Sequence, residues 1–231
     1  MVRVILFDVD NTLLSFDEAV KEAMRSGFEA FGLGAYEEGM FSVFHQVNTR
    51  LWQLIEKGES DLAELQKNRW NMIFERLGIS ADGVAFETYF RKCLFESAIP
   101  EKGAMELLGH LRGRYSLCVA SNGPYRQQVN RLKRSGMLPY FSHLFISEEI
   151  GSTKPSEKFF TACLGRLNEK AEPKIRPGEM MIIGDSLSSD MTGGLQFGMQ
   201  TCFYNPTGRP IPPGVKLDYT VSSLEEIASI L

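Results

Sequence analysis

Cysteine is scarce in this chain and scattered. Only Cys93, Cys118, Cys163 and Cys202 occur, and no two make the C-x-x-C spacing of a zinc site or a redox pair. Three of them sit among apolar neighbours, which marks buried thiols of a reducing compartment rather than a disulfide framework. Histidine is as rare, and His110 and His143 lack metal-ligand spacing. No run reaches the ~20 apolar residues that a membrane-spanning helix needs, so no membrane partner is expected. Acidic residues interrupt the opening MVRVILFDVD too early for a signal-peptide core, and a cytoplasmic location is the expectation. Basic clusters are missing too. Twenty-five Lys and Arg against 29 Asp and Glu leave a net charge of −4, which excludes a general binder of nucleic acid polymers. Internal repeats and low-complexity tracts are absent, and the one proline-rich stretch, Pro206 to Pro213, reads as a surface loop.

What is present is an ordinary globular composition, 43% hydrophobic and 23% charged over 231 residues, sufficient for a substantial core. Val2, Val4, Ile5, Leu6 and Phe7 form a nearly continuous apolar run that stops at Asp8, the pattern of a parallel strand buried on both faces. Leu117 to Ala120, Leu144 to Ile146 and Met180 to Ile183 repeat it, each halted by polar residues or glycine. Between them lie helical stripes: Phe159, Phe160, Cys163, Leu164 and Leu167, then Met191, Gly194, Leu195 and Gly198. Tyr219 to Val221 reads as a last strand, and Ser222 to Glu225 as an S-x-x-E capping box opening a final helix. The alternation predicts an α/β, Rossmann-like doubly wound parallel sheet.

Phe16 to Ser97 breaks the alternation. Trp52 with Ile55, Leu62 with Leu65, and Phe86 with Tyr89 and Phe90 have helical spacing, and Ser60-Asp61 resembles a helix start. Residues 16–97 are therefore predicted to be an inserted all-helical cap, and residues 1–15 with 98–231 the catalytic core. The insertion leaves the chain just past the first strand, at the sheet edge where α/β proteins bind ligands, which is where a lid belongs.

Asp8 and Asp10 stand two apart at that strand end, projecting to one side of an extended chain. Such a pair is costly without a cation or a shared proton. Ser121 and Asn122 follow the second strand, Lys154 the third, and Asp185 and Asp190 the fourth. Parallel strands collect these ends on one edge. Four carboxylates beside an ammonium, a hydroxyl and an amide form a site for a hard cation such as Mg²⁺ next to a site for a phosphate.

The motifs FDVDNTL, VASNG, the Lys of GSTKPS and IIGDSLSSD, in that order, resemble the haloacid dehalogenase superfamily of phosphohydrolases, from one end of the core to the other. The helical insertion resembles that superfamily's small helical cap. FHQVNTRLWQLIEKGES, LFISEEIGSTKPSEKFF and YTVSSLEEI resemble its branch of nucleotidases for pyrimidine and noncanonical nucleoside monophosphates. The resemblance implies that Asp8 is the nucleophile and Asp10 the general acid and then base. It implies that Ser121, Asn122 and Lys154 bind the phosphoryl group. Asp8, the backbone carbonyl of Asp10 and Asp185 would hold Mg²⁺, with Asp190 holding the metal's waters or orienting Lys154. The implied partner is a small phosphorylated metabolite, foremost a nucleoside 5′-monophosphate. Asp10 also favours phosphoryl transfer over dehalogenation, because a departing alcohol needs a proton and a halide does not.

Two other activities fit parts of the pattern. A sugar-phosphate or phosphoglycolate phosphatase would use the same core. A phospho-signalling receiver also clusters aspartates, a hydroxyl and a lysine, but needs no cap and takes its acceptor from another strand. Phe16, Phe41, Phe44 and Trp52 read as core aromatics more readily than as a pocket lining. His45 and Asn48, about one turn apart, are candidates for a nucleobase contact. Thr12 is expected to bond the backbone of its turn, and Arg126 and Arg209 to be solvated.

Overall fold

Every side chain of Val4–Phe7 is buried, so this strand has protein on both faces, as its unbroken apolar run requires. The computed structural model describes all 231 residues. Its strands are β1 (Val4–Phe7), β2 (Ser116–Ser121), β3 (His143–Ile146), β4 (Met180–Gly184), β5 (Gln200–Tyr204) and β6 (Tyr219–Val221). Its helices are α1 (Phe16–Ala30), α2 (Glu38–Glu56), α3 (Leu62–Leu77), α4 (Gly83–Glu96), α5 (Ala104–Leu111), α6 (Tyr125–Arg134), α7 (Ser147–Ile150), α8 (Glu157–Asn168), α9 (Thr192–Phe197) and α10 (Leu224–Ile230). The chain divides into two compact units, Met1–Ser15 with Ala98–Leu231, and Phe16–Ser97.

In the first unit the six strands pair in parallel in the order β3-β2-β1-β4-β5-β6. Alternation sorts their side chains onto two faces. Ile5, Phe7, Val119, Met181 and Ile183 pack with Leu107 and Leu108 of α5 and Ile227 of α10. Val4, Leu6, Cys118, Ala120, Met180 and Ile182 pack with Phe159, Phe160 and Cys163 of α8. The sheet is thus doubly wound, and the strand order reverses direction at β1, between β2 and β4. That reversal opens a crevice at the carboxyl ends of β1 and β4.

Two local readings change, and one strand is new. β5 carries no clear sequence signal because Gln200 and Thr201 lead it; Thr201 is buried with its hydroxyl donating to Asp218 Oδ2 at 3.0 Å, which meets its polar demand inside the sheet. The final capping box is one residue later than the S-x-x-E pattern suggests, Ser223 with Glu226, since α10 begins at the buried Leu224. Leu195 and Gly198 leave their stripe, both being exposed: Gly198 ends α9 in a left-handed conformation at φ 78°.

The second unit is four helices around aromatic side chains. Trp70 is fully buried, its ring 4.3 Å from that of Phe86 and 5.1 Å from that of Phe90, and Phe44 packs beside it. Phe44 is therefore core, while Phe16, Phe41 and Trp52 are half-buried. Asp61 caps α3 by accepting from Glu64 N–H, and Gly78 ends it at φ 68°, a left-handed conformation that suits glycine. Arg69, buried on α3, pairs with Glu87 at 2.6 Å and donates to Asn48 Oδ1 at 2.9 Å. That bond commits Asn48 within the unit, whereas His45 is exposed. No helix of either unit is long and apolar enough to cross a membrane.

Candidate active site

Asp8 follows β1 directly, and its N–H donates to Ile183 O of β4 at 2.9 Å, which seats it in the crevice where the strand order reverses. Its carboxylate is not alone. Lys154, 1% exposed, donates to Asp8 Oδ1 at 2.7 Å, to Asp190 Oδ1 at 2.6 Å and to Ala120 O at 2.6 Å. An ammonium has three protons, so all are spent on protein acceptors. Asp8 Oδ2 is the carboxylate oxygen that Lys154 leaves free.

Asn122 supports this arrangement. Its side chain accepts from Lys154 N–H at 2.8 Å and donates to Lys154 O at 2.9 Å, which fastens the Lys154 loop to the end of β2. Expected in substrate binding, the Asn122 amide is instead spent on the backbone of Lys154. Ser121, buried beside it, accepts from Gly123 N–H at 3.1 Å.

Asp190 is fully buried, and its second oxygen accepts from Ser186 N–H at 3.2 Å. Gly184 makes room for it, since a Cβ there would lie 2.2 Å from Asp190 Oδ2. Gly184→Ala should displace Asp190 and, through it, Lys154. We expect turnover to fall about 10- to 100-fold, as for other supporting contacts of a reactive site, measured as kcat/KM beside a thermal melt.

Carboxylate oxygens of Asp8, Asp185 and Asp190 lie within 4.8 Å of one another. Burial pushes the Asp8 carboxyl well above its usual range; the Lys154 ammonium pulls it back, while Asp190, Asp185 and Asp10 add to the rise. Burial by itself lowers the Lys154 ammonium, but Asp190 and Asp8 outweigh it and hold it above the ordinary lysine value. Three carboxylates against one ammonium, with oxygen donors only, is a donor set that fits a hard divalent cation such as Mg²⁺. Arg209 is exposed, as expected, and also bonds Asp185: its Nη2 donates to Asp185 O at 2.5 Å and reaches Asp185 Oδ2 at 3.4 Å.

Asp10 stands outside this cluster. Its carboxylate accepts from Arg131 Nη1 and, at 2.6 Å, from Gln128 Nε2, both on α6. The carboxylates gathered in one space are thus three, Asp8, Asp185 and Asp190, and a buried guanidinium draws the fourth aside. The turn continues through Asn11 at φ 55°, a left-handed conformation that asparagine tolerates. Thr12 bonds the backbone of its turn through its N–H, to Val9 O at 3.4 Å, while its hydroxyl is buried without a hydrogen-bond partner. Gln128 and Arg131 escape sequence reading because polar residues on a helix normally signal its solvated face. Their spacing of three, just after VASNG, was the available hint.

A model of the haloacid dehalogenase-like hydrolase family matches residues 2–198. The chain is 33% identical to the HAD-hydrolase YfnB of Bacillus subtilis over 229 residues, 99% of this chain and 95% of that one. It is 31% identical to the pyrimidine 5′-nucleotidase YjjG of Escherichia coli over 227 residues, 98% and 96% of the two chains. It is 30% identical to the pyrimidine 5′-nucleotidase PynA of Streptococcus pneumoniae over 233 residues, 99% and 94%. The crystal structure of YfnB bound to magnesium matches with a TM-score of 0.89 at 33% identity, covering 100% of this chain and 98% of that one.

Proposed function

We propose that this chain, which belongs to the haloacid dehalogenase-like hydrolase family, is a Mg²⁺-dependent 5′-nucleotidase that cleaves pyrimidine or noncanonical nucleoside monophosphates through an aspartyl-phosphate. One observation carries the mechanism: Asp8 and Asp10, two residues apart, occupy separate environments, one among Lys154 and two further carboxylates, the other on Arg131 and Gln128. Two carboxyl groups so separated can hold two different tasks. The resemblance to YjjG and PynA over nearly the whole chain supports the substrate class. Membership in a hydrolase family sets aside the receiver reading.

In the first step Asp8 Oδ2 attacks phosphorus, the bond from phosphorus to the ester oxygen breaks, and Asp10 gives that oxygen its proton. Lys154 and the Ser121 hydroxyl offset charge on the transferring group. In the second step Asp10 takes a proton from water, the water oxygen attacks phosphorus, and the acyl-phosphate P–O bond breaks. Asp8 returns as carboxylate, Asp10 is protonated again, and inorganic phosphate is free. Asp8, Asp185 and the Asp10 backbone carbonyl would hold Mg²⁺, with Asp190 supporting Lys154 and the metal's waters; when bound, the cation neutralises the dianionic ester facing an anionic nucleophile. Four unpaired thiols, three of them buried, fit a cytoplasmic enzyme.

The test is phosphate release from pyrimidine and purine nucleoside monophosphates, sugar phosphates and phosphoglycolate, with Mg²⁺ or with chelator. We expect chelator-sensitive hydrolysis, fastest on pyrimidine monophosphates. A preference for sugar phosphates or phosphoglycolate would discard the nucleotidase branch and keep the chemistry; no release from any ester would discard both. A melt without substrate reads the cation directly. At about 100 times its dissociation constant a ligand contributes about 2.7 kcal/mol, a rise in Tm of roughly 5–10 °C. Asp185→Asn should lose most of that rise.

A further inference from the structure

The inward face of α6 carries two polar side chains beside the apolar Leu132. Gln128 and Arg131 are fully buried there, three residues apart and so on one side of the helix. Arg131 Nη1 donates to Asp10 Oδ1 and, at 3.0 Å, to Gln128 Oε1. The second contact orients the Gln128 amide, whose nitrogen then donates both to Asp10 Oδ2 at 2.6 Å and to Ser121 Oγ at 2.9 Å. With Gly123 N–H also donating to Ser121 Oγ at 3.1 Å, both acceptor sites of that hydroxyl are filled. Its own proton is left to point away from them.

The surroundings are built around this circuit. A Cβ on Gly123 would lie 2.4 Å from Gln128 Nε2, so the glycine of VASNG makes space for the amide. Arg131 Nε and Nη2 are buried with no hydrogen-bond partner. Unmet buried donors oppose folding, so what this guanidinium does for Asp10 is its visible use.

We propose that Gln128 and Arg131 are positioning residues for the reaction, holding the Asp10 carboxyl where it exchanges its proton and aiming the Ser121 hydroxyl proton at the phosphoryl group. This rests on the roles of Asp10 and Ser121 given above.

The test compares first-turnover rates on uridine 5′-monophosphate, whose alkoxide leaving group needs a proton, and on p-nitrophenyl phosphate, whose phenolate leaves without one. General acid catalysis contributes about 10²- to 10⁴-fold. We expect Gln128→Met and Arg131→Met to slow the first ester about 10- to 100-fold more than the second, and Arg131→Lys, which keeps the charge and one donor, to recover part of the loss. A purely structural role would slow both esters alike. Should Arg131→Met fail to fold, Gln128→Met and Arg131→Lys carry the test. Asp10→Asn is the internal standard. If it collapses the ratio of the two rates while the α6 variants keep the parent's ratio, the positioning role is overturned by itself. If it leaves that ratio unchanged, the assignment of Asp10 fails, and the positioning role with it.

Discussion

Asp8→Asn is expected to abolish turnover while the folded protein, in chelator, stays as stable as the parent or becomes more stable. The loss should reach about 10⁴-fold or more, because an amide oxygen cannot form and release the acyl-phosphate and the remaining groups act only in concert with the nucleophile. The stability half follows from electrostatics. Burial raises the folded-state affinity of Asp8 for a proton, and Asp190, Asp185 and Asp10 reinforce it against Lys154. An acid whose folded pKa exceeds its unfolded value opposes folding once the pH is above the unfolded value, since ionisation then favours the unfolded chain. A neutral amide removes that penalty and still accepts from Lys154. With Mg²⁺ the order should invert, the parent gaining more than the variant. Calorimetry with chelator and with Mg²⁺, beside phosphate release, checks both halves. Residual turnover near a tenth of the parent's would remove Asp8 as nucleophile, and a fall in Tm in chelator would contradict the electrostatic account.

Lys154→Met is expected to cost both activity and stability. Its ammonium is the one cation within bonding distance of Asp8 and Asp190, and its third proton is on Ala120 O. Deleting one partner of a buried pair leaves uncompensated charge, at a cost of about 3–5 kcal/mol, a fall in Tm of roughly 6–20 °C. Adding Asp190→Asn should restore part of it, because the two side chains touch and their effects do not add. Mg²⁺ should stabilise Lys154→Met by more degrees than it stabilises the parent, a cation replacing a cation. A fall below about 2 °C in chelator would mean that Lys154 does not balance these carboxylates.

The division between these two aspects of the site marks how far the sequence reaches. The apolar runs at Val4, Leu117, Leu144 and Met180 were legible as strands because a parallel strand covered on both faces must be apolar throughout. Once the strands are parallel, their polar ends must share one edge, so Asp8, Ser121, Lys154 and Asp185 were legible as neighbours. The helical character of Phe16 to Ser97 followed from its spacing. β5 was not legible, since its leading residues are polar and only the Asp218 contact makes Thr201 suited to the interior.

What the sequence by itself determined was the inventory of functional groups and the edge on which they meet, because strand period and strand direction are local properties. Tertiary structure alone decided who faces whom. Asp8 met Lys154 across 146 residues and Asp10 met Arg131 across 121. Asn122 went to the backbone of Lys154, and a face of α6 that reads as solvated turned inward. A carboxylate is the same group at every position in a sequence; its nearest cation, and therefore its chemistry, is set by distances that exist only after the chain has folded.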